Sequence, residues 1–327
     1  SHNVAIGNLA LEDQDAGADA YNVAIGSSAG KQVTTGKENI FIGGNVADSI
    51  TTGIRNVAIG HAALQTEDEH GYNVAIGNRA LQTQNAGADA YNVAVGSNAG
   101  QAVTTGTYNT LVGGLAGDAI TSGNTNVALG YQALTSETQG DRNVAIGVSA
   151  LEVQNNTSNA DIYNVAVGYH AGKSVTTATN NLIVGGLAGD SLTTGSYNTA
   201  LGFGALGSED AHGRNVAIGY LALTTQDAGA DAYNVAVGFN SGTSVTTGTQ
   251  NTIIGGLAGD AITAGGSNVA LGYETLSTET GGYYNVAIGT RALKTLNTNS
   301  AAYNTAVGYE AGKEITTGIE NTLIGGK

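Results

Sequence analysis

A five-residue word, Asn-Val-Ala-Ile-Gly or a close variant, occurs 19 times along the 327 residues of this chain. Successive asparagines of the word are 17 residues apart in most repeats, 19 in four and 21 in one. So short a period gives every repeat the same few environments, and each repeat must then bury its apolar face against the next. We therefore expect one elongated repeat domain over residues 1–327, with no internal linker.

The composition narrows the classes of function. The 51 glycines fall in register with Val, Ile and Leu, which disordered chains lack. Eleven Lys and Arg against 26 Asp and Glu leave a formal charge of −15, whereas nucleic acids and anionic membrane surfaces require a cationic footprint. No apolar run reaches the length of a membrane span. We expect neither a nucleic-acid partner nor membrane insertion.

Each repeat, numbered from its Asn as position 1, indicates a strand followed by a corner. Positions 2–4 carry β-branched residues typical of strands, and we expect the aliphatic residue at position 4 to face a packed interior. Gly at position 5 permits a positive φ, and Asn is suited to a left-handed corner and to a ladder of stacked side chains. The predicted fold is all-β, a parallel β-solenoid or β-roll of about 19 coils of 17–21 residues. Representative structural positions are Asn22, Gly26, Asn92, Gly96, Asn164, Gly168, Asn234 and Gly238.

The repeats form groups of four with a period of about 70 residues. In the first and fourth members, position 9 is normally Leu, as at Leu64 and Leu81. In the second and third members position 9 is small, and an aliphatic residue appears at position 12 instead, as at Val33 and Ile50. Each coil thus carries one large residue, at position 9 or at position 12, for the wall opposite its strand. Whether one turn contains one word or two stays open at this point.

The words NVAIG, NTAVGY and NVALGYQAL, with Ala at position 8 and a TTG or TSG corner, resemble two repeat families. One is the head domain of trimeric autotransporter adhesins, a left-handed parallel β-roll assembled as a homotrimer. The other is the shaft repeat of some bacteriophage tail fibres, which the string NTAVGYEAGKEITTG from Asn304 resembles. The resemblance covers the whole chain. It implies an extracellular location, at a cell surface or on a virion, and a self-associating chain.

Candidate metal ligands are few. The segment GGLAGDAIT, at residues 113–121 and again from Gly255, nearly matches a calcium-binding β-roll motif, but that motif must recur in consecutive turns. We therefore expect no cofactor, with Ca²⁺ kept as an alternative. His70 and His212 share a position beside acids, yet their equivalents elsewhere are not His, so zinc is not expected. The calcium candidates are Asp118, Asp190 and Asp260.

A tyrosine directly precedes the Asn of the second coil in every group. We expect its ring to pack over a coil edge, and the alternative is a surface stripe that contacts carbohydrate, because Tyr combines a large apolar ring with a polar tip. The five positions are Tyr21, Tyr91, Tyr163, Tyr233 and Tyr303.

The leading hypothesis is a non-enzymatic, extracellular structural fibre or adhesin shaft. No arrangement of nucleophile and base stands outside the repeat, so we expect no catalytic residues. Self-assembly is expected through the open solenoid ends, whose strand edges are unpaired, or laterally through the small residues at position 3, as a homotrimer or a head-to-tail filament. The lateral face would contain Ala5, Ala24, Ala58 and Ala75. The alternatives are a bacteriophage tail-fibre shaft and a cation- or glycan-binding surface module.

Overall fold

The computed structural model describes residues 2–17 and 19–327. Its regular elements within these ranges are 19 strands of three residues, one for each repeat. The chain forms two compact units, the first ending at Tyr163 and the second spanning Asn164–Lys327. The undivided domain expected from the sequence stays a prediction.

Each strand covers positions 2–4 of its repeat and pairs in parallel, in register, with the next strand of its unit. The strands of the first unit are β1 (Val4–Ile6), β2 (Val23–Ile25), β3 (Ile40–Ile42), β4 (Val57–Ile59), β5 (Val74–Ile76), β6 (Val93–Val95), β7 (Thr110–Val112), β8 (Val127–Leu129) and β9 (Val144–Ile146). Those of the second unit are β10 (Val165–Val167), β11 (Leu182–Val184), β12 (Thr199–Leu201), β13 (Val216–Ile218), β14 (Val235–Val237), β15 (Thr252–Ile254), β16 (Val269–Leu271), β17 (Val286–Ile288), β18 (Thr305–Val307) and β19 (Thr322–Ile324).

Consecutive words pair directly, so every coil contains one word. Val57 lies opposite Val74, one repeat later. One backbone bond recurs at every junction between a fourth coil and the next first coil, where the N–H at position 9 donates to the carbonyl at position 8 of the following coil. These bonds are Leu64 to Ala80, Leu134 to Ala150, Leu206 to Ala222 and Leu276 to Ala292, at 3.0, 3.0, 3.0 and 3.3 Å. The predicted all-β parallel solenoid of 19 coils is confirmed.

The face of the strand that points inward is the opposite of the one expected. Position 3 is fully buried at Ala24, Ala58 and Ala75, while the residues on either side of it are half-buried. In the coils of Ala58 and Ala75, the fully buried Leu64 and Leu81 at position 9 occupy the space that a larger residue at position 3 would need. The predicted lateral face of small residues is therefore wrong, because these alanines lie inside the coil. Ala5, in the first coil, is exposed.

Large residues fill the core from alternating places, as predicted for positions 9 and 12. Leu64, Leu81, Val33 and Ile50 are all fully buried. The third coil of each group adds a large residue at position 3, which the sequence analysis did not anticipate. These residues are Phe41, Leu111, Ile183 and Ile253, all fully buried, and Leu323 in the last coil, which is half-exposed.

Gly30 explains how the large residue of the third coil is accommodated. A Cβ atom on Gly30 would lie 2.7 Å from Cδ2 of Phe41 and 3.2 Å from Cδ2 of Leu11. The missing side chain of the second coil is thus replaced by side chains from the coils on either side, which keeps the interior close-packed.

The corners use many left-handed residues that are not glycine. In the fifth coil, Arg79, Leu81 and Tyr91 have φ of 55°, 48° and 53°. Gly at position 5 has φ between 121° and 143°, as predicted in sign, at Gly289 and Gly43 respectively. The Asn at position 1 does not adopt a positive φ at the representative positions, so its expected left-handed corner is wrong.

In the described parts of the chain, no helix has the length and apolar character needed to span a bilayer.

Candidate functional site

A ladder of buried asparagines runs through each unit. The side-chain oxygen of each Asn accepts a hydrogen bond from the backbone N–H of the next Asn, as between Asn22 and Asn39 at 2.9 Å and between Asn234 and Asn251 at 2.8 Å. Outside the first coil of each group, the side-chain amide also donates to a backbone carbonyl 14 residues later, as from Asn164 to Ala178 at 2.7 Å. There one side chain satisfies backbone groups of two coils.

Some ladder positions make a further bond. The amides of Asn22, Asn92 and Asn234 also donate to a Gln side chain in the inserted loop of the preceding coil, at 2.7, 2.7 and 2.6 Å. The partners are Gln14, Gln84 and Gln226. These bonds fix each inserted loop against the ladder, so the loops are part of the stack.

The glycines of position 5 form a second column, in which each packs directly on the next. A Cβ atom at Gly26 would lie 2.2 Å from the carbonyl oxygen of Gly43, and one at Gly96 would lie 2.4 Å from that of Gly113. At Gly168 and Gly238 the corresponding distance to the next glycine oxygen is 2.6 Å. No side chain fits at these positions without moving the backbone of the neighbouring coil.

The five predicted tyrosines are exposed, and their rings lie against neighbours in adjacent coils. Tyr91 stacks between Tyr72 and Tyr108, with ring centroids 4.8 and 5.6 Å apart. The guanidinium of Arg214 lies 5.6 Å from the ring centroid of Tyr233. Tyr21, Tyr163 and Tyr303 contact His2, Arg142 and Tyr284 in the same way. The rings pack on neighbours in adjacent coils, and this packing leaves ring edges and hydroxyls at the surface.

A buried carboxylate stands at position 12 of every fourth coil, where the second and third coils carry an aliphatic residue. The sequence analysis missed it, although the repeat alignment contains the signal, an acid at a core position. Ionised carboxylates are costly to bury unless donors or cations surround them. The four residues are Glu67, Glu137, Glu209 and Glu279, each fully buried.

Glu137 and Glu279 are surrounded by hydrogen-bond donors. Oε1 of Glu137 accepts from the backbone N–H of Gly140 at 2.8 Å, and Oε2 accepts from Gln154 at 2.9 Å and from the Asn156 amide at 3.0 Å. Asn156 and its neighbour Asn155 both open glycosylation sequons, and the bond to Glu137 holds the Asn156 amide inside the coil.

Oε2 of Glu279 accepts from the backbone and hydroxyl of Thr298, both at 3.1 Å. Donors from the inserted loop of the following coil thus complete both of these carboxylates. They serve a structural role within the stack.

Glu67 and Glu209 have a different environment, because a histidine stands three residues further on. His70 and His212 donate their backbone N–H to Oε1 of these carboxylates, at 3.2 and 3.1 Å. Their Nδ1 atoms lie 3.6 and 3.7 Å from the same Oε1 atoms. Burial raises the pKa of Glu67, and it raises that of Glu209 to about 7. Two acid–histidine clusters result, one in each unit.

The calcium candidates Asp118, Asp190 and Asp260 lie half-buried on third coils. Burial raises the pKa of all three. Asp118 accepts a hydrogen bond from the Thr135 hydroxyl, and Oδ1 of Asp260 has no hydrogen-bond partner in residues 2–17 and 19–327. Within the described residues, the groups of three or more ligand-type side chains that lie together do not include these aspartates. Calcium at these positions stays a prediction.

Comparisons with known proteins add no assignment for these sites. No protein-family model, no curated protein and no solved structure matches this chain.

Proposed function

We propose that the chain is a non-enzymatic structural protein outside the cell, an extracellular fibre or the shaft of an adhesin. The observation that carries the proposal is the asparagine ladder, in which the bond from the backbone N–H of one Asn to the side-chain oxygen of the preceding Asn recurs from coil to coil within each unit. An enzyme built on stacked coils needs a place where the stack opens to admit a substrate. Here the backbone groups and asparagine side chains of each repeat form hydrogen bonds that join one coil to the next.

Mechanical strength is what such a ladder provides. Each coil is joined to its neighbour by backbone bonds of the strands, by further backbone bonds at the corners and by the Asn side chain. A force along the stacking direction must break these bonds together. The net contribution of each hydrogen bond to stability is about 1 kcal/mol. The same bonds shield backbone groups from proteases, because cleavage requires local opening. Both properties suit a protein that holds another domain away from a surface.

Self-association is part of the proposal, as a homotrimer or as a head-to-tail filament. Support for lateral contacts comes from the outward face of the strands, where positions 2 and 4 carry partly exposed aliphatic residues. Ile40 is 39% exposed, Leu182 39% and Leu271 41%. Support for longitudinal contacts comes from the in-register parallel pairing of successive coils, as between β18 and β19, because a coil of a second copy could pair with an open strand edge in the same way.

Electron cryo-microscopy of the native material tests the assembly. Three chains around one axis would support the homotrimer, and single solenoids joined end to end would support the filament. Dispersed monomers under native conditions would contradict both. A double variant with Val57→Lys and Ile59→Lys places charge on the outward strand face, and we expect it to abolish a lateral assembly, whereas the control Thr105→Lys at an exposed corner leaves it intact.

A bacteriophage tail-fibre shaft is the alternative within the same structural class. It differs from the adhesin in where the protein resides, at the tail of a virion instead of a cell surface. Antibodies against the chain, used in immunogold labelling of both purified virions and cells, separate the two. Labelling of virion tails alone would replace the adhesin by the fibre.

Glycan binding is a second candidate function, favoured by the stacked aromatic rings. Tyr91 and Tyr108 are 44% and 58% exposed, and Arg55 lies over the ring of Tyr72 at 5.5 Å. The ring edges and phenol hydroxyls that this stack leaves exposed suit contact with the hydroxyl groups of a sugar. Saturation-transfer NMR with an oligosaccharide mixture should show contacts that Tyr91→Ala removes and that Tyr131→Ala, at another exposed Tyr, retains. No transfer to any sugar would reject this candidate.

A further inference from the structure

We propose that the two acid–histidine clusters are binding sites for a divalent transition-metal ion of the zinc class. The first cluster contains Glu67, Asp68 and His70, and the second contains Glu209, Asp210, His212 and Asp227. They occupy the same positions of the repeat, one in each unit. The proposal is independent of whether the chain forms a fibre.

The geometry fits two or more ligands of one ion. Within each cluster the ligand atoms all lie within 4.8 Å of one another. The separations between Nδ1 and Oε1, 3.6 Å at His70 and 3.7 Å at His212, exceed a hydrogen bond. Two ligands of a tetrahedral zinc ion, with bonds of about 2.0–2.1 Å, lie about 3.3 Å apart. A small adjustment of the His side chain therefore brings both atoms onto an ion.

Buried polar atoms without partners provide a second, independent indication. Glu67 is fully buried, yet its Oε2 has no hydrogen-bond partner among the described residues. Within the same part of the chain, Nδ1 of His70 and Nδ1 of His212 are also buried atoms without a hydrogen-bond partner. In the second cluster Oε2 of Glu209 accepts a long bond of 3.4 Å from Asn215. Such groups are rare in native proteins because an unpaired buried polar atom is costly. A cation between carboxylate and imidazole would satisfy them.

The chain itself contains the comparison that isolates this feature. The residue three positions after the buried Glu is His70 or His212 in the clusters but Gly140 or Gly282 in the other two fourth coils. A Cβ atom at Gly140 would lie 2.8 Å from Oε2 of Glu137. There the space beside the carboxylate is taken by donors from the next coil. Where His replaces Gly, no such donor reaches Oε2 of Glu67, and imidazole nitrogen and carboxylate oxygen face each other instead.

The donor set selects the kind of ion. Imidazole with carboxylates suits Zn²⁺ and its neighbours among the first-row metals, whereas Ca²⁺ and Mg²⁺ prefer oxygen ligands alone.

The two sites also differ in charge. Asp227 of the second cluster corresponds to Asn85 in the first unit, so the second site has one more carboxylate and should bind more tightly.

Isothermal titration of the full, chelator-treated chain with ZnCl₂ tests the proposal. We expect two sites per chain, one with His70→Ala, one with His212→Ala and none with both changes. His61→Ala, at an exposed histidine outside the clusters, is the control and should keep two. Circular dichroism checks that every variant is folded. Zinc binding that survives the double His change, or the absence of stoichiometric zinc binding, would overturn the proposal.

A charge exchange between the sites sharpens the test. Asp227→Asn should weaken the second site, and Asn85→Asp should strengthen the first, each by about tenfold or more because affinity follows ligand charge. Cobalt substitution adds a spectroscopic readout, since Co²⁺ in a tetrahedral nitrogen–oxygen site absorbs strongly in the visible range. If the Ca²⁺ affinity is unchanged by the His substitutions and no visible Co²⁺ spectrum appears, the clusters are not sites of this class.

Discussion

The side-chain oxygen of Asn109 accepts a hydrogen bond of 2.9 Å from the backbone N–H of Asn126, one coil further along. The amide of the same side chain donates to the carbonyl of Gly123 at 2.9 Å. Asn109 is fully buried, so both backbone groups depend on it for a partner. The relationship between these two asparagines is repeated along the ladder and is the strongest constraint on which residue position 1 accepts.

Replacing Asn109 by Ala should therefore destabilise the first unit. Two buried backbone groups lose their partner, and each unsatisfied group costs about 1–3 kcal/mol. We expect a loss of about 3 kcal/mol in the free energy of unfolding and faster hydrogen exchange at the Asn126 amide. Thr105→Ala, at an exposed corner, is the control and should change stability by less than about 0.5 kcal/mol. Unchanged protection of the Asn126 amide would show that the ladder bond is dispensable.

Replacing Gly113 by Ala should be far more damaging than the same change at the next residue. The new Cβ of residue 113 would lie 2.4 Å from the carbonyl oxygen of Gly130, at a φ of 135°. A strained φ alone costs about 1–3 kcal/mol, and the contact adds to it. At Gly114 the nearest atom is Cδ2 of Tyr131 at 3.5 Å. Denaturant titration of both variants should show a large loss for Gly113→Ala only, and equal losses would contradict the close stacking of the glycines.

Phe41 should respond to substitution according to volume. Phe41→Ala removes a fully buried ring that fills the space beside Gly30, and we expect a loss of about 3–5 kcal/mol. Phe41→Leu introduces the residue found at the equivalent position 111 and should cost less than about 1.5 kcal/mol. Thermal unfolding of both variants measures the difference. If the two variants lose the same stability, Phe41 does not fill this space.

Glu274 should remain ionised in strong acid. Hydrogen bonds from Lys294 at 2.6 Å and from Arg291 at 2.8 Å lower its pKa to about 2. A carboxyl whose folded pKa lies below its unfolded value stabilises the fold above the unfolded pKa, near 4.5, and loses this contribution as the pH falls through about 2. Carboxyl-carbon NMR should give a titration midpoint near 2. The double change Lys294→Gln and Arg291→Gln should raise it toward 4.5, and a wild-type midpoint already near 4.5 would refute the ion pairs.

The sequence was sufficient to predict the fold because the same word returns in every coil. Strand placement, the parallel stack, the Asn ladder and the Leu64-type core positions all follow from the repeat. Which face of the strand points inward could not be predicted, because Val-Ala-Ile buries an aliphatic residue whichever face is inside. Only the size relation between Ala24 at position 3 and its opposite wall decides, and that wall is known only once the coil has closed.

The acid–histidine clusters were harder to predict for a different reason. His70 stood out in the sequence, but no sequence feature that we used distinguished Glu67 from the other acids of an acidic chain. Its burial depends on position 12 lying inside the coil, and the aliphatic residues of the second and third coils at that position were the available sign. Asp227 joins the second cluster from an inserted loop. The path of this loop across the preceding coil cannot be predicted from the spacing of the repeats.

The backbone bond shared by every junction between a fourth coil and the following first coil, at Leu64–Ala80 as at Leu206–Ala222, has an evolutionary consequence. Deleting or duplicating a block of four coils by recombination would bring together two coils whose backbone bonding already occurs elsewhere in the same molecule. A gene of this kind can therefore change the length of its product in steps of about 70 residues without inventing a new backbone contact. Natural variants that differ by whole blocks would be the genetic trace of that freedom.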